Sequence, residues 1–302
     1  MNAKIWLEAA RLRTLPLSIS GILVGTFYAY KQYSDNTNYW LIFGLAFLTT
    51  LGLQVLSNFA NDYGDGVKGT DNKDRVGPQR AIQSGAITPE QMKKGIIIVS
   101  VATLIIAVAL IYASFGKDNF GFSLFFFVLG LAAITAAIKY TVGKSAYGYR
   151  GLGDLFVFIF FGLVSVLGTN FLFEQAVDYK LLLPAVAIGL LSVAVLNLNN
   201  MRDRESDIKA GKNTLVVKIG AQNAKNYHLF IVVTAMILGL LFAYLSGFEW
   251  KQYLFVLSYI PLLKHLKTVA ANKEPGALDP ELKKVALSTF LFAVLLSVVL
   301  TF

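Results

Sequence analysis

Apolar runs close to the thickness of a bilayer recur along the whole chain, and few folds can accommodate them. A helix needs roughly 20 apolar residues to cross the hydrocarbon layer. Nine stretches approach that length: 15–33, 39–60, 95–115, 120–140, 152–173, 181–200, 227–247, 251–270 and 284–302. The eighth is interrupted by Pro261, Lys264 and His265. With 56% hydrophobic and 15% charged residues and a mean hydropathy of +0.60, the chain lies outside the range of soluble domains. The pattern predicts an all-α integral membrane protein, a bundle of nine transmembrane helices. No Gly/Ser-rich or Pro-rich linker divides it, so residues 1–302 are expected to form a single domain. The amphipathic lead AKIWLEAARLRTLP carries Glu8 and no small-residue cleavage site follows it, so no removable signal peptide is expected.

Charge gives the chain an orientation. The net charge of +9 is spread by loop parity and not gathered into a patch with interleaved aromatics, so nucleic acid is not an expected partner. If the nine spans cross, 23 of the 27 Lys and Arg fall on the side of the N-terminus, in the N-terminal lead and the 62–94, 139–151, 201–226 and 264–284 segments. Lys31, Lys117, Lys180 and Lys251 fall on the other side. The positive-inside rule then puts the N-terminus and the long polar loops in the cytoplasm, with the chain in the cell membrane. The absence of cysteine excludes disulfides, thiolate chemistry and Cys-ligated zinc. His228 and His265 lie far apart with no HExxH pairing, so neither a zinc site nor a Ser-His-Asp triad is indicated.

Acidic residues concentrate after the second and sixth apolar runs. The first cluster reads NDYGD and places Asn61 four residues before Asp65; the second, NNMRDRESD, spaces Asn199, Asp203 and Asp207 by four. That spacing puts side chains on one helical face. Asp74 and Glu205 are expected to be solvated loop residues, whereas ionisable groups at membrane depth, such as Asp65, Asp203 and Asp207, normally require partners. Carboxylates and amides without thiols suit hard cations, and Mg2+ commonly bridges one or two carboxylates to substrate phosphate oxygens. Two such clusters on facing helices can hold a diphosphate between them. Lys68, Arg80, Lys144, Arg202 and Lys212, threaded among the acids, are candidates for its phosphate contacts, although each also fits the positive-inside pattern. The GxxxxGK[ST] spacing of a nucleotide loop is missing. A third stretch, YTVGKSAYGYRGLGDL from Tyr140 to Leu155, gathers Tyr140, Tyr147, Tyr149 and Asp154 where the fourth and fifth spans are expected to meet the cytoplasm. An interfacial aromatic belt explains such tyrosines, and an aromatic substrate would need the same surface.

The words NDYGDGVKGTD and NNMRDRESDIKAGKNTL together resemble the two aspartate-rich motifs of the UbiA-type intramembrane prenyltransferases, which lie on the second and sixth of nine helices. GPQRAIQSGAITP and the Gly69 of the first motif are similar to the branch that prenylates 1,4-dihydroxy-2-naphthoate in menaquinone biosynthesis. The resemblance implies transfer of a polyprenyl chain from polyprenyl diphosphate to that naphthoate with loss of CO2. It further implies Mg2+ held by Asn61, Asp65, Asn199, Asp203 and Asp207, with Asp62 or Asp71 supplying an extra carboxylate, and a tail lying among membrane lipid. Asp65, Asp203 and Asp207 are then the catalytic carboxylates. Tyr140, Tyr149 and Asp154 are expected at the acceptor, with Tyr149 and Asp154 orienting or deprotonating it. Other acceptors, such as 4-hydroxybenzoate, are the nearest alternative. A secondary transporter is more remote, because its site should lie near mid-membrane. CDP-alcohol phosphatidyl transfer fits less well, since Gly69 and Thr70 stand where its motif continues with Ala-Arg.

Overall fold

The computed structural model describes residues 3–11, 14–71 and 76–302; Asp74 lies outside them. Its regular structure is helical, with no strand among the described residues. The helices are α1 (Ala3–Ala10), α2 (Leu15–Tyr28), α3 (Tyr39–Val67), α4 (Pro89–Phe115), α5 (Phe120–Lys139), α6 (Gly153–Glu174), α7 (Tyr179–Arg202), α8 (Arg204–Lys209), α9 (Leu215–Leu245), α10 (Trp250–Ala271) and α11 (Pro275–Leu300). Among the described residues, eight of these, α3 to α7 and α9 to α11, are long and apolar enough to cross a membrane. The chain is a multi-pass membrane protein. The run at 15–33 yields only the 14-residue α2, about 21 Å long, followed by a separate turn at Tyr30–Tyr33. Among the described residues eight helices reach spanning length and the run at 15–33 forms one shorter apolar helix, so nine full-length spans are not confirmed.

Local chemistry accounts for several boundaries. At the start of α4 the Thr88 hydroxyl accepts from the Gln91 N–H while the Gln91 side chain accepts from the Thr88 N–H, a reciprocal cap that satisfies two donors. Pro261 does not break α10. The segment winds tightly from Trp250 to Ser258 and becomes α-helical at Tyr259, so the proline falls in a first turn where its missing N–H costs nothing. Lys264 points outward while His265 is fully buried.

Helix α7 is the most buried span, enclosed by α6, α9 and α11, and it carries the second Asn/Asp motif at its C-terminal end. The first motif ends α3. In contrast, α5 exposes Phe125 and Val128 and α4 exposes Ile98 and Ile105, the apolar surface expected against lipid. Small residues let α6 and α7 approach: a Cβ on Gly162 would lie 2.6 Å from the Gly189 Cα and 2.7 Å from the Ala185 carbonyl oxygen. Between Phe158 and Gly168 the α6 backbone widens into π-type turns. Gly162→Leu should therefore cost about 1–3 kcal/mol through overpacking, read as a lowered melting temperature in detergent. Gly44→Ala, which meets open space, should melt like the parent; equal melting of both variants would contradict this packing.

Candidate active site

The two motifs meet around Asp65. Its Oδ2 accepts from Arg80 Nη1 at 2.9 Å, and its Oδ1 accepts from the Tyr149 hydroxyl at 2.8 Å. The Lys212 ammonium lies 3.7 Å from Asp65 Oδ2 and 3.8 Å from Asp207 Oδ1, joining the first motif to the second. Arg80 also reaches Asp71 Oδ2 at 3.2 Å and the Asn61 carbonyl at 3.0 Å. Asp65 and Asp71 are buried, so these cations offset carboxylates that would otherwise be costly at this depth.

The second motif has its own cation. Arg202 donates to Asp203 through Nε at 2.8 Å and Nη2 at 2.7 Å, a bidentate pair, and Nη2 also reaches Asn199 Oδ1 at 2.8 Å. Its Nη1 reaches Asp279 Oδ1, on α11, at 2.5 Å. The backbone bends at Asp203, but the Asp203 N–H still donates to the Asn199 carbonyl and the Asp207 N–H to the Asp203 carbonyl. The stripe with period four thus survives the break between α7 and α8.

Tyr149 closes the polar side. The Thr70 hydroxyl lies 2.5 Å from its phenol oxygen, and Lys68 sits 3.9 Å above its ring while donating to the Thr141 carbonyl. Burial raises the Tyr149 pKa and the Asp65 carboxylate raises it further, so the phenol stays protonated and donates. Burial likewise raises that of Tyr140, helped by the Asp154 carboxylate. Neither tyrosine is a base. Burial lowers the Lys68 pKa, with Asp65 opposing and Lys212 adding to the fall. For Arg80 burial works against the charged form, but Asp65, Asp71 and Asp62 outweigh it and the guanidinium stays charged.

An apolar cavity of about 320 Å³ opens from this cluster. Asn61, Tyr140 and Tyr147 line one end; Leu110, Phe126 and Leu172 line another part, deep among α4, α5 and α6. Tyr147 stacks on Phe156, with centroids 3.9 Å apart. Tyr140 fits because Gly153 lacks a side chain: a Cβ there would lie 3.1 Å from the phenol oxygen. The next residue, Asp154, is buried near Tyr227, and its Oδ2 makes no hydrogen bond.

The oxygen donors fit a hard cation. No three His, Cys, Asp or Glu side chains converge on one point among the described residues. The arrangement is therefore not a ready-made cage, and it suits Mg2+, which takes few carboxylates and completes its shell with water and phosphate.

Most residues anticipated from the sequence gather here: Asn61, Asp65, Lys68, Arg80, Tyr140, Tyr149, Asp154, Asn199, Arg202, Asp203, Asp207 and Lys212. Two behave differently. Asp62 turns to the loop after α3, where its carboxylate accepts from the backbone N–H groups of Ala81 and Ile82 at 3.1 and 3.3 Å, so it anchors that loop. Lys144 is exposed on the turn after α5 and joins none of these contacts. The sequence offered Asp71 beside Asp62 as an extra carboxylate without its pairing to Arg80, and it did not reveal Asp279, Thr70 or Tyr227, which come from separate loops and helices.

Comparison with known proteins agrees with this geometry. Residues 18–278 match the UbiA prenyltransferase family. A 1,4-dihydroxy-2-naphthoate octaprenyltransferase of Haemophilus influenzae is 44% identical over 97% of this chain and 94% of its own. The enzyme so named in Escherichia coli is 42% identical over 94% of this chain and 90% of its own. The fold is shared with a UbiA homologue from Aeropyrum pernix, with a TM-score of 0.70 at 15% identity over 95% of this chain and 98% of that one. A homologue from Archaeoglobus fulgidus, solved with DMAPP and Mg2+, has a TM-score of 0.62 at 16% identity over 97% and 99%. Two Asn/Asp motifs facing each other at the mouth of an apolar cavity, on a chain matched nearly end to end, place this protein in the UbiA prenyltransferase family.

Proposed function

We propose that the protein transfers a polyprenyl chain from polyprenyl diphosphate to 1,4-dihydroxy-2-naphthoate, releasing diphosphate and CO2 and giving a demethylmenaquinol. The observation that carries this reading is the apolar cavity that begins at Asn61 and Tyr140, directly beside the charged cluster. An ionic head and a greasy tail are thus accommodated in adjoining spaces. The names of the relatives at 44% and 42% identity support the choice of acceptor. The Lys and Arg distribution supports a cytoplasmic face for the charged cluster and location in the cell membrane.

Asn61, Asp65, Asn199, Asp203 and Asp207 would hold Mg2+, which when bound neutralises the leaving diphosphate. Arg80, Lys212, Lys68 and Arg202 add positive charge around the same phosphates, favouring departure of the diphosphate with the C–O electron pair. The allylic cation left behind lies against the aromatic faces of Tyr140 and Tyr147, whose quadrupoles attract cations. The apolar lining keeps water away from it. The naphthoate carbon bearing the carboxylate attacks that cation, a C–C bond forms, and the electron pair of the C–CO2 bond returns to the ring as CO2 leaves. Tyr140 orients the acceptor as a donor, Tyr149 borders the acceptor with its own proton held by Asp65, and Asp154 accepts from a ring hydroxyl through the oxygen that makes no hydrogen bond.

Purified protein given Mg2+, a labelled polyprenyl diphosphate and 1,4-dihydroxy-2-naphthoate should release CO2 together with labelled quinol. Asp65→Ala or Asp203→Ala should lower turnover by at least 100-fold, about 3 kcal/mol of transition-state stabilisation, while Asp154→Asn should mainly raise the KM for the naphthoate. Product from 4-hydroxybenzoate alone, without CO2, would reject this acceptor, and absence of product from any aromatic would reject the reaction.

Asp62 and Asp71 separate by phenotype. Asp62→Ala should cost about 2 kcal/mol of stability through two lost charge-assisted hydrogen bonds while leaving the Mg2+ requirement of the folded enzyme unchanged. Asp71→Ala should raise the Mg2+ concentration needed for half-maximal rate. The reverse pattern in a Mg2+ titration would reassign the extra carboxylate to Asp62.

A further inference from the structure

Away from the charged cluster, two histidines separated by 37 residues meet in the core. His228 on α9 and His265 on α10 face each other through their Nε2 atoms at 2.7 Å, and both are fully buried. His228 Nδ1 lies 3.1 Å from Asn197 Oδ1, on α7. His265 Nδ1 lies 2.5 Å from Glu281 Oε2, on α11, and Lys284 donates to Glu281 Oε1 at 2.5 Å. Four helices are joined by one line of side chains. The groups bond in series and do not converge, so no metal pocket is formed.

Donor and acceptor counting gives the line a direction. With Asn197 Oδ1 toward His228, the Asn197 Nδ2 is buried without a partner. A half turn of the amide instead lets its N–H donate to His228 Nδ1 and leaves a carbonyl oxygen unpartnered, which proteins tolerate better than an orphaned N–H. His228 then donates from Nε2 to His265, and His265 donates from Nδ1 to the Glu281 carboxylate. Both imidazoles are neutral in this arrangement, as a buried apolar setting favours. Every bond points to Glu281, whose charge is balanced by Lys284, and such aligned chains polarise one another.

Both ends of this line bear on the active site. Asn197 lies two residues before Asn199 on the last turns of α7, and Glu281 lies two residues after Asp279, which holds Arg202. Arg202 in turn holds Asn199 and Asp203. Asp279 and Glu281 of α11, the latter through the two histidines, therefore tie the end of α7 at two points on either side of Asn199. We propose that Glu281, His265, His228 and Asn197 form a positioning relay that fixes Asn199 and Asp203 for the diphosphate and its metal; this rests on the reading under Proposed function. None of the four touches the reacting atoms, so they are positioning residues.

Glu281→Gln keeps an acceptor for His265, whereas Glu281→Ala removes the point at which the relay ends. Binding of inorganic diphosphate with Mg2+ to the full-length protein in detergent, by titration calorimetry, separates the two without reliance on turnover. Glu281→Gln is expected to bind within about threefold of the parent and Glu281→Ala at least tenfold more weakly, about 1.4 kcal/mol at 25 °C. His228→Asn, which retains a group at the Nδ1 position but loses His265, should weaken binding like Glu281→Ala and serves if that variant does not fold. Folded Glu281→Ala or His228→Asn that melts lower but binds like the parent would reduce the relay to a structural tie and overturn the proposal. A parent protein that neither binds this probe nor prenylates would overturn the proposed function as well, whereas equal binding by parent and variants overturns the relay alone.

Discussion

Negative charge collected at two helix C-termini is the constraint on which the rest of the structure depends. Asp65 ends α3 and Asp203 ends α7, where the backbone dipole already carries partial negative charge. Carboxylates in such places are unfavourable in a low-dielectric bundle unless cations answer them. Arg80 and Lys212 answer the first, and Arg202 answers the second. The loop after α3 must therefore fold back to deliver Arg80, which explains why Asp62 grips the backbone at Ala81 and Ile82. The turn at Tyr147–Arg150 is held by the Asn213 N–H on the Tyr149 carbonyl and by Lys218 on the Arg150 carbonyl.

The same electrostatics make chemical sense of the site. In the proposed reaction a diphosphate with bound metal would bring both signs of charge and exchange places with the internal ion pairs without leaving a bare charge in the bundle. The cavity beside the charged cluster is apolar and aromatic, so the proposed tail and head would each meet their own kind of surface. Central burial of α7 gives one of the two motifs a rigid support, and the open faces of α4 and α5 leave room for lipid or a long chain alongside.

Much of this was legible in the sequence. Apolar run lengths gave the helices, because every span must satisfy its own backbone inside the membrane. The spacing of four placed Asn61 with Asp65 and Asn199 with Asp203, because it is a property of one helix. The run at 15–33 forms a shorter helix than its length implies, because the helix breaks at Ala29. What stayed hidden depends on elements meeting across the bundle. Asp62 and Asp65 look alike in the sequence, yet only the returning loop distinguishes them. The pairing of His228 with His265 has no local signature beyond a polar residue on an otherwise apolar helical face, and the Arg202–Asp279 contact spans 77 residues.

The most direct check of the central claim is a crystal structure with a non-cleavable polyprenyl thiodiphosphate and Mn2+ in place of Mg2+, recorded with anomalous scattering. The account requires anomalous density between the ends of α3 and α7, within reach of Asp65 and Asp203, with the first isoprene units in the cavity beside Tyr140. Manganese bound elsewhere, or a chain lying outside that cavity with the two motifs still closed on Arg80 and Arg202, would contradict it.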